Sequence, residues 1–133
     1  MKFSPTMIKS ILIDARALID EPDKWCQDWN AKTRIPRAYI GAPVVSPQAN
    51  TFSAYGAIVR VVFDASLSGK EFVDNVDYYI NLISAVCWRL IAAANCRRST
   101  SYNALEKWND HPNRAHLDVL EAFDRAIAAG DKT

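Results

Sequence analysis

Trp108-Asn109-Asp110-His111-Pro112-Asn113-Arg114 stands between two stretches of helical apolar periodicity and reads as a corner between helices. Trp108 closes a short helix that also holds Tyr102 and Leu105, with Ser99 to Ser101 offering caps at its start. Amide and carboxylate side chains then fall where backbone groups at helix ends need partners, and Pro112 prevents the first helix from continuing. A last helix begins around Arg114 and places Val119, Leu120, Phe123 and Ile127 on one face, with Gly130 as its stop and Glu121 paired to Arg125 on the surface. The spacing predicts a buried Trp108, with Asn109 or Asp110 bonded to backbone at neighbouring helix ends.

Upstream, Ser4-Pro5 is a cap followed by proline at the first helical position. Ile8, Ile11, Leu12, Ala15, Leu18 and Ile19 recur at helical spacing up to the break at Glu21-Pro22. Ser46-Pro47 repeats that signal, and Phe52, Tyr55, Val59 and Val62 predict a second helix whose Gly56-Ala57 lets another helix approach closely. Ser68-Gly69 is a turn, after which Phe72, Val76, Tyr79, Ile80, Ile83, Val86, Cys87, Leu90 and Ala94 trace a long stripe suited to the centre of a bundle. Between Asp23 and Val45 the periodicity disappears, and Pro36, Gly41 and Pro43 punctuate an ordered loop that Trp25, Trp29, Ile35, Tyr39 and Ile40 pack down. The expected fold is all-α: one domain over residues 1–133, a bundle of four or five helices with one long ordered loop after the first.

With 133 residues, half of them hydrophobic, the chain can bury a core. Sixteen Lys and Arg against 15 Asp and Glu give no general drive toward nucleic acid or acidic lipid, so any such binding has to be local. The N-terminus has no signal-peptide pattern, and the apolar run Leu82–Ala94 carries Arg89 and is too short to span a bilayer, so no membrane is expected. Cys26, Cys87 and Cys96 are odd in number and lack Cys-x-x-Cys spacing, which suits a reduced, cytoplasmic protein.

Trp25-Cys26-Gln27, Phe52-Ser53-Ala54-Tyr55-Gly56-Ala57 and Trp108-Asn109-Asp110 leading to Arg114 and Val119-Leu120 resemble, in that order, a family of small uncharacterised proteins of bacteria and their phages. The resemblance covers most of the chain and implies no activity. Two positions depart from the pattern it implies: Ser53 stands where a cysteine is usual, and Ala115 where a threonine would cap the last helix. Ala115 has no side-chain acceptor, so the expected cap is Asn113 or Asp110.

Four chemistries compete for the candidate residues. Cys26 with His111 and Asp110 has the thiol, base and carboxylate types of a cysteine hydrolase, but no activating helix start follows Cys26. His111 and His116, five apart across a helix start, do not share a face as metal ligands would, and no metal or cofactor is expected. Lys24, Lys32, Arg34 and Arg37, interleaved with Trp25, Trp29 and Tyr39, have the composition of a weak nucleic-acid grip, a use that the charge balance elsewhere argues against. The favoured expectation is a non-enzymatic module that binds a protein or small ligand through Trp25, Trp29, Lys32, Arg34, Arg37 and Tyr39, or pairs with its own copy through a helix face. In that reading Trp108, Asn109, Asp110 and Gly56 are structural.

Overall fold

The computed structural model describes residues 3–35, 38–41, 43–66, 68–94 and 102–130; at 33–35, 38–41, 102, 103 and 130 the description is of the backbone. Among these residues the protein is mostly helical, as expected, with α1 Pro5–Leu18, α2 Ala54–Ala65, α3 Gly69–Asp74, α4 Val76–Ala93, α5 Tyr102–Asp110 and α6 His116–Gly130. The Ser4 hydroxyl accepts from the Met7 N–H (3.0 Å) and Pro5 opens α1, so the local signal and the helix agree.

The expected loop is more regular than its composition suggests. After a 3-10 turn at Pro22–Lys24, strands β1 Ala31–Ile35 and β2 Ala38–Gly41 pair antiparallel, Lys32 facing Gly41 and Arg34 facing Tyr39. A two-residue strand, β3 Thr51–Phe52, joins the other side of β1, giving the order β2-β1-β3. Strands of two to five residues are too short to show alternation in a sequence.

Ser46-Pro47 makes a turn and does not open the second helix; α2 starts seven residues later, where the Ser53 hydroxyl accepts from the Gly56 N–H (3.0 Å). The expected single long helix after Ser68 is two. Ser68 caps α3, and at Asn75 the backbone leaves helical geometry while the side-chain amide donates to the Glu71 carbonyl (3.0 Å).

The core runs between α1, α2, α4, α5 and α6 through Leu12, Ile19, Ile58, Leu90, Leu105 and Phe123. By length and composition α4 is long enough to cross a bilayer, five residues more than the apolar run alone indicated, and its Leu82, Ile83, Val86, Cys87, Leu90 and Ile91 are buried among the other helices. Arg125 serves α4 and not Glu121: its Nε donates to the carbonyl of Ala93 in the last turn (2.9 Å). Arg16 bonds Asp124 (2.7 Å), tying α1 to α6 at the surface.

Candidate functional site

The polar groups of the three sequence motifs converge on one buried amide. Asn109, fully buried at the end of α5, accepts at Oδ1 from the Trp25 indole N–H (2.8 Å) and from the Ala54 backbone N–H (3.0 Å). Its Nδ2 donates to the Cys26 carbonyl (3.0 Å) and to Asp110 Oδ1 (2.9 Å). Two lone pairs and two N–H groups are thereby all used, and the two donors aimed at one atom fix which end of the amide is oxygen. Ala54 opens α2, so one side chain satisfies a free N–H of that helix, the indole and the 25–28 turn together.

The neighbours complete the clamp. Gln27 Nε2 donates to the carbonyls of Asn109 (3.0 Å) and His111 (2.8 Å), and Arg114 Nε donates to that of Trp108 (2.9 Å), so the exposed end of α5 is capped by side chains from both flanks. Asp110 also accepts from the Asp28 N–H (2.9 Å), which holds Asp28 at φ 70°, a left-handed conformation that aspartate tolerates better than most residues. The Ser53 N–H donates to the Asn30 carbonyl (3.1 Å), which lies directly over Gly56: a Cβ there would come within 1.8 Å of Asn30 O. Gly56 does permit a close approach, but of a turn's carbonyl and not of a second helix.

Trp108 is only half-buried, with the Arg114 guanidinium 4.4 Å from its ring centre; the fully buried member of the motif is Asn109. The start of α6 is served by neither Asn113 nor Asp110. Asp118 reaches back to the Ala115 N–H (2.9 Å), the second half of a capping box whose first half alanine cannot make.

The thiol, base and carboxylate are not assembled as a catalytic set. Cys26 is buried, its sulfur donates to the Trp29 carbonyl (3.4 Å), and burial pushes the thiol up to about 11 despite the opposing pull of Lys32, with Asp110 and Asp28 adding to the rise. The His111 Nδ1 accepts from the Asn113 N–H within its own turn (3.1 Å). His116 Nε2 carries a proton to the Ile19 carbonyl at the end of α1, and its ring lies against Trp25 (5.9 Å). Among the described residues no group of three His, Cys, Asp or Glu could hold a metal ion.

The expected binding residues divide. Trp25 is half-buried on the core and committed to Asn109, which makes it a frame residue and not a display residue. Trp29 stands 54% exposed. Lys32 is half-buried on β1, Arg34 and Tyr39 are paired positions of the hairpin, and Arg37 lies outside the described residues. Gln27 entered from sequence only as the last residue of the Trp-Cys-Gln motif, with no role given, and Asn30 was not singled out; two amides close to an aspartate in an aperiodic stretch were the available signal.

A cavity of about 430 Å³ lies between the end of α1, the 3-10 turn, β3 and α2, lined among others by Leu18, Glu21, Lys24, Phe52, Arg60 and Asp64. Arg60 is spent on the carbonyls of Val44 (3.0 Å) and Ser46 (2.6 Å) and on Asp64 (3.0 Å), so the cavity wall fastens the 43–46 segment to α2.

No curated protein and no solved structure matches the chain. Residues 4–129, spanning the Trp25 turn, the Gly56 contact and the Asn109 hub, match a family of unknown function, DUF6197, and the chain belongs to that family.

Proposed function

We propose that the protein is a small, non-enzymatic interaction module that binds a partner protein through the turn at Trp29 and the hairpin that follows it. The observation that carries this reading is a large aromatic left 54% exposed on a turn braced from three sides: the Cys26 thiol on the Trp29 carbonyl, Asp110 on the Asp28 N–H, and the Ser53 N–H on the Asn30 carbonyl. An aromatic held in place before binding gains contact area at little cost in ordering, which is how interface anchors act. A thiol that burial keeps protonated and whose hydrogen bond goes to the Trp29 carbonyl, with the His111 Nδ1 engaged in its own turn, supports binding over hydrolysis. In this reading the order Trp-Cys-Gln, Phe-x-x-x-Gly-Ala, Trp-Asn-Asp is the frame that members in bacteria and phages share, and the setting is cytoplasmic, where Cys26 and Cys87 stay thiols.

Capture of partners from a bacterial lysate with three baits tests it. Wild type and Trp88→Ala, which removes an equally exposed tryptophan from α4, are expected to retain the same partner, and Trp29→Ala to lose it with an unchanged melting temperature. A partner retained equally by all three baits removes Trp29 from the interface.

A further inference from the structure

One ridge of α4 is left in water along the whole helix. Val76, Ile80, Ser84, Trp88 and Ala92 follow one another at i, i+4 spacing and all five are exposed, Ile80 and Trp88 by 51% each. α4 has the composition of a membrane-crossing helix, yet only a third of it is buried within the chain. A row of i, i+4 side chains is the kind of ridge that packs against its like on a second helix. α4 also holds two charged residues, Asp77 near its start and Arg89 near its end. Both are available: neither has an ion pair or hydrogen bond among the described residues. Arg89 Nη1 is buried without a partner, so swinging the guanidinium toward an arriving carboxylate breaks no bond.

We infer that α4 pairs with α4 of a second copy, antiparallel, about a two-fold axis at Ser84. This goes beyond the Trp29 reading and does not rest on it. Residues equidistant from Ser84 then face each other: Ile80 meets the second copy's Trp88, Val76 meets its Ala92, and the small Ser84 meets its equivalent where the helices come closest. Charge fixes the direction. At a rise of about 1.5 Å per residue, Asp77 of each copy comes within about 3 Å, along the helix, of the level of Arg89 of the other. A parallel pair would set Asp77 beside Asp77 and Arg89 beside Arg89. A bilayer, the other occupant that such a helix invites, would have to take both charges unpaired, while α2, α5 and α6 hold the helix from its buried side.

Sedimentation equilibrium of the full chain, joined to cross-linking, tests the pairing. A face of one helix lies at the low end of interface sizes, so a dimer with Kd on the order of 10 µM is expected. Trp88→Ala and Asp77→Arg, both at exposed positions, are each expected to weaken it about tenfold or more, and Asp77→Arg/Arg89→Asp to recover most of the loss. Trp29→Ala is expected to leave it unchanged. With Cys96→Ser throughout, Ser84→Cys is expected to form an intermolecular disulfide under mild oxidation and Ala92→Cys not to, because an axis at residue 84 sets the two 92 positions about 24 Å apart. A chain still monomeric at about 200 µM overturns the inference. So does equal cross-linking at both positions, the mark of a parallel pair, or a dimer that survives Trp88→Ala and dissociates in Trp29→Ala. Vesicles of phosphatidylcholine and phosphatidylglycerol that carry down the wild type but not Trp88→Ala would replace the second copy by a membrane. Partner capture that proves independent of Trp29 removes the interaction module and leaves this pairing in place.

Discussion

Trp25 and Trp29 are four residues apart in one short turn, and the fold treats them oppositely. Trp25 lies on the core with its indole N–H bonded to an amide 84 residues away, while Trp29 stands more than half exposed. Composition and local pattern make the two equivalent, as candidate anchors on a basic loop. A distant partner separates them: Asn109 takes the indole N–H of one and, through the Cys26 carbonyl and Asp110, holds the turn that presents the other. The buried side is thus the frame and the exposed side is what the frame positions.

If the frame is one unit, its centre has the largest effect. Asn109→Ala leaves the Trp25 indole, the Ala54 N–H and the Cys26 carbonyl without their partner, and an unsatisfied buried group costs roughly 1 to 3 kcal/mol. A loss of about 4 kcal/mol is expected in urea denaturation. Asn109→Asp is expected to fail as well, because a carboxylate keeps the acceptor but cannot donate to Cys26 and brings a second charge against Asp110. A cost below about 1 kcal/mol, the level of an ordinary surface change, would reduce the hub to one hydrogen bond among many.

Gly56 probes the same frame by volume. On helix propensity alone alanine is favoured over glycine, by about 1 kcal/mol in a helix interior, and Gly56 in the first turn of α2 would gain from Gly56→Ala in the same direction. Here the added methyl meets the Asn30 carbonyl, a backbone atom that can retreat only by distorting the turn and its bond to Ser53. A loss of about 3 kcal/mol is expected, with weaker capture of the partner proposed for Trp29. Stabilisation by this substitution would show that the turn is not seated on α2.

How much of this was legible depends on where each decision is made. The start of α1 was readable because Ser4, Pro5 and the apolar stripe all lie within it. The start of α2 was not: Ser46-Pro47 is the stronger local signal, and Ser53 prevails because Asn109, from the far end of the chain, takes the Ala54 N–H. The hairpin was hidden by its length and by flanking prolines and glycine that punctuate loops equally well. Asn109 was legible as a corner amide, whereas the exposure of Trp29 and the commitment of Trp25 were not, since nothing within the 25–29 turn distinguishes them. Trp108 is half-buried and not fully buried as expected: it packs against the core and carries the guanidinium of Arg114, six residues on, over its ring.

The thiol sharpens the comparison at intermediate magnitude through pH. Cys26 in the folded protein ionises only near pH 11, and the unfolded thiol near its ordinary value, about 8.5. The folded state therefore holds the proton longer, and its stabilising share is complete below the unfolded value and lost as pH rises from about 8.5 toward 11. Urea stability measured at rising pH is expected to fall less steeply in Cys26→Ala than in wild type, although Cys87, pushed up to about 12 by burial, keeps a slope of its own from the same lower bound of about 8.5 toward 12. Alkylation at neutral pH is expected to be slow. Fast labelling that vanishes in His111→Ala would reverse the assignment of Cys26 to the frame and return it to catalysis.

The smallest expected effect is the one that separates frame from display most directly. Trp29 contributes its backbone carbonyl to the Cys26 thiol and leaves over half of its surface in solvent, so Trp29→Ala keeps the bond that braces the turn and removes only the presented ring. The stability change is expected to stay within about 0.5 kcal/mol, as for surface substitutions away from special features. Trp25→Ala, four residues earlier, removes a donor from Asn109 and apolar contact from the core, and about 3 kcal/mol is expected for it. The ratio of the two costs is the informative quantity, because both remove the same side chain from the same turn. Two equal losses would mean that Trp29 also holds the fold, and the exposed ring would no longer be available as an anchor.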